Sequence, residues 1–132
     1  MRHFVPIIIF VFIFSNAVLA DTIQVPDDTS SIQGGISLAS DGDTVLVSEG
    51  VYVENISFEG KAITVASLYF LDGDTTHIEN TIIDGSHNSG SVVSFTSGED
   101  TTSVLYGLTI RRGTGTLLES GALYRRRRCA LL

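Results

Sequence analysis

Apolar and polar positions alternate with a period of two along short stretches of this chain, and Gly, Asp or Asn closes most of them. Such alternation marks strands that bury one face. The pattern is most regular between Ile32 and Ser67. Thr44 to Val47 reads as a strand, Ser48-Glu49-Gly50 as a turn, and Val53 to Phe58 as a strand with Ile56 and Phe58 on one side and Asn55 and Ser57 on the other. Gly60 turns the chain into Ala62 to Ala66, where Ile63 and Val65 face in and Thr64 and Ala66 face out. The same grammar predicts strands at Thr22 to Val25, Thr81 to Asp84, Ser91 to Phe95 and Ser103 to Ile110.

One helix interrupts the strands. Ser30 and Gln33 have capping-box spacing, and a helix of about two turns places Ile32, Ile36 and Ala39 on one face. Gly34 and Gly35 each disfavour it by about 1 kcal/mol relative to Ala, so only packing of the Ile face can hold it. Gly42 is placed to stop the helix in a left-handed conformation.

An internal repeat is visible: Asp41-Gly42-Asp43-Thr44 returns as Asp72-Gly73-Asp74-Thr75, and apolar strands begin near residues 44, 63 and 91. The intervening loops are unequal and contain no helical crossover. Stacked strands tolerate corners of different length, so the reading is an all-β parallel β-helix, with a β-sandwich as the alternative.

Charge and the chain ends narrow the setting. A basic start, a nearly continuous apolar run from Phe4 to Phe14 and Val18-Leu19-Ala20 predict a signal peptide over residues 1–20, cut after Ala20. The apolar run is short for a membrane anchor. The whole chain has a formal charge of −7, and loss of Arg2 with the signal makes it one unit more negative. That acidity excludes a phosphate-backbone footprint, so nucleic acid is not an expected partner. With Cys129 alone, no internal disulfide can form. Residues 21–43 read as the first strand and capping helix, 44–115 as β-helix coils, and 116–132 as an aberrant or unstructured tail.

The run from Ile32 to Ser67, and more loosely on to Gly113, resembles the N-terminal part of secreted right-handed parallel β-helix proteins of the pectin lyase-like superfamily. Asp41 to Val47, Gly50 to Ile56 and Lys61 to Val65 match its DGDTVLV, G-x-Y-x-E-N-I and K-x-I-T-V segments, and Thr81 to Gly85 matches the xIIDG strand end. Two departures are the Gly34-Gly35 pair, where small helix formers are usual, and the reading of about three coils where such helices run for many; the pattern also fails after Gly115. The resemblance implies a right-handed fold with a short capping helix. In related polysaccharide lyases an Arg on a strand serves as base, beside calcium held by Asp residues. Arg111 and Arg112 follow a strand here, but the sequence places no Asp cluster beside them, and they read as a solvated strand end.

No other constellation carries chemistry. Asp72 to Thr76 lacks the Gly and Glu of an EF-hand at its sixth and twelfth positions, which hold His77 and Ile83, so its carboxylates read as solvated turn residues. His77 and His87 lie in polar loops and read as surface residues. Fifteen acidic residues offer chance pairs for glycoside hydrolysis, but number alone selects none. Asn55-Ile56-Ser57 is a formal glycosylation sequon. Cys129-Ala130-Leu131-Leu132 after Arg125 to Arg128 fits a prenylation motif, which the export signal contradicts. If the four Arg codons are CGG, a one-base shift turns them into Gly codons, and the tail is then a frameshift. It is otherwise a genuine short end.

No catalytic, cofactor-binding or metal-binding residue is therefore assigned, and no cofactor is implied. The expected protein is a secreted or cell-surface β-helix scaffold fragment that binds glycans or serves a structural role, with extracellular polysaccharide or cell-surface proteins as partners and no membrane after signal cleavage. The alternative is the N-terminal part of a polysaccharide lyase or glycoside hydrolase whose groove lies in later coils.

Overall fold

The computed structural model describes residues 19–115. The bulk of the signal segment and the whole tail after Gly115, with Arg125 to Arg128 and Cys129, lie outside the described residues. The elements run β1 (Thr22–Val25), α1 (Ile32–Leu38), β2 (Thr44–Val47), β3 (Gly50–Tyr52), β4 (Ile56–Ser57) and β5 (Thr64–Ser67), then α2 (Tyr69–Asp72), α3 (Thr76–Asn80), β6 (Thr81–Asp84), β7 (Val93–Ser94), β8 (Val104–Tyr106) and β9 (Thr109–Arg111). The strands form three sheets, ordered β1-β2-β5-β8, β3-β6-β9 and β4-β7, in which every pairing is parallel.

Register explains the core. Ile23, Val45, Val65 and Leu105 stand in line across the first sheet, and Val25, Val47 and Ser67 form a second row two residues on. Because the side-chain period is two, both rows point to one face. Val25, Val45, Val47 and Val65 are fully buried there, with Ile56, Phe58, Ile63 and Ile83 from elsewhere along the same passes.

Helix α1 closes one end of this interior with Ile32 and Ile36, both fully buried. Its N-cap is Ser31, one residue later than the spacing predicts, and the Ser31 hydroxyl accepts from Gly34 N at 3.0 Å. Gln33 takes no part in a capping box. Its carboxamide instead accepts from Ser57 N at 2.8 Å and donates to Ser57 O at 3.2 Å, pairing with β4 as a neighbouring strand would. The donors of the first turn, Ile32 N and Gln33 N, are taken by the carboxylate of Glu54 at 2.9 and 3.0 Å. The two glycines allow the helix to sit this close: a Cβ at Gly34 would lie 2.3 Å from Thr29 Oγ1, and one at Gly35 2.7 Å from Val45 Cγ1. The helix ends at Ala39, in extended backbone, so Gly42 does not stop it; its φ of 95° serves the turn into β2.

Several strand limits differ from the pattern. Gly50 opens β3 instead of closing a turn, and the run from Val53 to Phe58 is reduced to β4 although its alternation holds. Ser103 to Ile110 is two strands in two sheets, broken at Gly107, whose φ is 69°. Ala66 is fully buried, aligned between Leu46 and Tyr106 on the adjacent strands. The second Asp-Gly-Asp-Thr joins α2 to α3 and does not lead into a strand as the first does, so the two copies are not structurally equivalent. The stretch from Ser91 belongs with β4, and the first sheet starts its strands at residues 22, 44, 64 and 104.

Candidate functional site

Between α1, β4, β7 and the backbone at 89–91 and 114–115 runs an open groove of roughly 770 Å³. Its walls combine apolar surface, Ile56 included, with hydroxyls, carboxamides and main chain; Gln33, Asn55, Ser57, Ser89, Ser94 and Thr114 are the principal polar side chains. The period-two pattern of β4 turns Ser57 outward while Ile56 and Phe58 enter the core, and the parallel register sets Ser94 beside Ser57. Thr114 Oγ1 accepts from Gly90 N at 2.7 Å and Gly90 O accepts from Thr114 N at 3.1 Å, tying the two loops into one wall. Asn55 Nδ2 donates to Ser89 O at 3.4 Å, while its Oδ1 has no partner among the described residues. No ionisable side chain lines the groove among the described residues. Such a surface offers hydrogen-bond donors and acceptors without a fixed charge. Asn55, the sequon residue, is half-buried in this wall.

His77 is not a free surface residue. Its Nδ1 lies 2.7 Å from Glu49 Oε1 and its Nε2 2.9 Å from Asp72 Oδ2, with the side chain only 17% exposed. These hydrogen bonds, to Glu49 first and then Asp72, raise its pKa above the ordinary 6.5. A raised pKa contributes stability that is full below about 6.5 and is lost as pH rises through the folded-state value. The thermal midpoint is therefore expected to fall from pH 6 to pH 9 in the native chain and to flatten in His77→Gln; equal slopes in calorimetric scans would refute the bridge. Asp72 Oδ1 accepts from Asp74 N at 2.8 Å, and Asp74 Oδ1 accepts from Thr76 N and Oγ1 at 2.9 and 2.8 Å. The carboxylates of this segment thus serve the turns around them. His87 is exposed. Among the described residues no group of three or more His, Cys, Asp or Glu is arranged to hold a metal.

Arg111 and Arg112 are solvent-exposed at the end of β9, as the sequence reading has them, but both are paired with a buried carboxylate. Parallel pairing sets Arg111 beside Asp84, and Arg111 Nε and Arg112 Nη1 reach Asp84 Oδ2 at 2.7 and 3.1 Å. Asp84 is 1% exposed. The Ser86 hydroxyl foremost, with the two guanidinium groups, holds its pKa at about 2, against the desolvation that opposes ionisation.

A second exposed feature lies on the first sheet. Tyr69 stacks on Tyr106 with ring centroids 5.4 Å apart, and Phe70 meets Tyr106 edge-on at 6.1 Å. Phe70 is 50% and Tyr106 44% exposed. The pattern of the chain marks neither this shelf nor the wall at 89–91: Tyr69 and Phe70 lie in α2, outside the alternating strands, and Ser89 and Gly90 lie in a loop, for which the polar stretch Ser-His-Asn-Ser-Gly-Ser from Ser86 to Ser91 was the available signal. No family model, curated protein or solved structure matches this chain.

Proposed function

We propose that the chain is a secreted or cell-surface right-handed parallel β-helix of the pectin lyase-like type, which binds neutral extracellular glycans in the groove between α1, β4 and β7. The fold reading is supported by three parallel sheets whose strands recur in the same order on successive passes, with aligned apolar rows between them. The binding reading is carried by one observation: hydroxyls and carboxamides are set among apolar atoms along the groove, and no charged side chain lines it among the described residues. Sugars present many hydroxyl donors and acceptors, and an uncharged polar wall answers them without the desolvation cost of an ion. The chain's net negative charge disfavours polyuronates, so neutral polysaccharides are the expected class.

Affinity electrophoresis against neutral and acidic polysaccharides tests this. Native protein is expected to be retarded by neutral glycans, and Ser94→Tyr, which fills the groove from an outward position, is expected to lose at least about tenfold in affinity, equivalent to about 1.4 kcal/mol. Loss in Phe70→Ala with retention in Ser94→Tyr would move the site to the aromatic shelf. Release of unsaturated or reducing ends would make the protein an enzyme and refute the binding-only reading.

A further inference from the structure

We propose that Asp43 is the docking group for the amino terminus created by cutting the chain between Ala20 and Asp21. The cut itself rests on the export reading; the dock rests on geometry. Asp21 N donates to Asp43 Oδ1 at 2.8 Å, and Ser40 N donates to Oδ2 at 2.8 Å. Asp43 as a residue is 7% exposed. The position of the Asp21 nitrogen does not depend on the preceding residues: Thr44 N donates to Asp21 O at 2.9 Å, and Thr22 pairs with Thr44 in the β1–β2 ladder. Leu19 and Ala20 are exposed, so removing them sacrifices no buried apolar surface.

Peptidase-catalysed hydrolysis adds one water across the Ala20–Asp21 amide. Ala20 leaves with the carboxylate, and the Asp21 nitrogen takes up protons to become an ammonium. The donor already aimed at Asp43 then carries a charge, and a neutral hydrogen bond becomes a charge-assisted one. The other charged groups nearby are the Asp21 carboxylate, which accepts from Thr22 N, Asp41, which accepts from Ala62 N, and Lys61, whose ammonium is engaged by Ile36 O, Ser37 O and Glu59. The local balance favours a cation at Asp21. Processing thereby fastens β1, the edge strand of the first sheet, and the cut chain is the better-held one.

The test uses chains released from a fusion to begin at Asp21 or at Leu19, each with Asp43 or with Asp43→Asn, folded under the same conditions. Acylation of the α-amine at pH 7.5 is read from the mass of the N-terminal peptide, which separates it from Lys61. In the chain beginning at Asp21, acylation is expected to be about fivefold slower with Asp43 than with Asp43→Asn, reflecting an amine held protonated above its usual 7.7–8.0. In the chain beginning at Leu19 the rate is expected to be indifferent to Asp43. Equal rates for the two Asp21 chains would overturn the proposal. If Asp43→Asn does not fold, the Asp21 chain is compared with its N-acetylated form, which keeps the N–H but lacks the charge. The free amine is expected to melt higher at pH 6 and to lose that advantage as pH rises through its folded-state pKa; identical melting at pH 6 would overturn the dock. N-terminal sequencing of exported protein tests the cut separately, since a different start refutes the export reading and leaves the acylation result standing.

Discussion

Replacing Val65 with Asp is expected to abolish folding, whereas Thr64→Asp, one residue earlier on the same strand, is expected to leave a folded protein. Val65 is fully buried in the row formed with Ile23, Val45 and Leu105. A carboxylate placed there meets apolar side chains above, below and across, and burying an unpaired charge costs several kcal/mol even when the group protonates. Domains of this size are stable by only about 5–15 kcal/mol, so that cost consumes a large share. Thr64 is half-buried, aligned with Thr44 and Val104 on the outward row, where Asp is penalised by about 1 kcal/mol through its poor strand propensity. Circular dichroism and urea unfolding of the two variants decide the matter. Equal damage at both positions would mean that the facing of β5 is wrong.

The inward rows were legible because successive side chains on a strand point to opposite faces. Val45 with Val47, Ile56 with Phe58 and Ile63 with Val65 all enter the core as the alternation requires. Ala66 breaks the rule without breaking the period: it points outward, yet is covered between its neighbours Leu46 and Tyr106, and a small side chain carries no signal of what lies over it. The division at Gly107 was readable in principle. Leu105 and Leu108 both pack on the core, and residues three apart cannot share one face of a single strand. The helix cap was not readable, since Glu54 reaches Ile32 and Gln33 from more than twenty positions away and no local spacing encodes such a bond. Asp84 belongs to the same class: it follows the inward Ile83, so strand alternation does not account for its burial, and its partners Arg111 and Arg112 arrive only through parallel register with β9. For the groove, Ser57 is marked by its outward place on β4, while Ser89 and Ser94 come to it from the next pass and Thr114 from the one after.

The Gly34-Gly35 pair shows how tertiary packing can reverse a local preference. In an ordinary helix interior Gly35→Ala would stabilise by about 1 kcal/mol, because Ala loses less backbone freedom on folding. Here a Cβ at Gly35 would stand 2.7 Å from Val45 Cγ1 and 3.2 Å from Val25 Cγ2. Both valines are fully buried and are held by the β1–β2 register, and branching at Cβ leaves them few alternative rotamers. Overpacking of this kind costs about 1–3 kcal/mol, which outweighs the helix gain, so Gly35→Ala is expected to destabilise by up to about 2 kcal/mol in urea unfolding. The decisive control is Val45→Ala. Alone it leaves a cavity and destabilises; combined with Gly35→Ala, the new methyl group occupies part of the vacated space, and the double variant is expected to be more stable than the two single effects added together. Additive losses, or a stabilising Gly35→Ala, would show that α1 does not sit on β2 at this distance and that its glycines serve some purpose other than close approach.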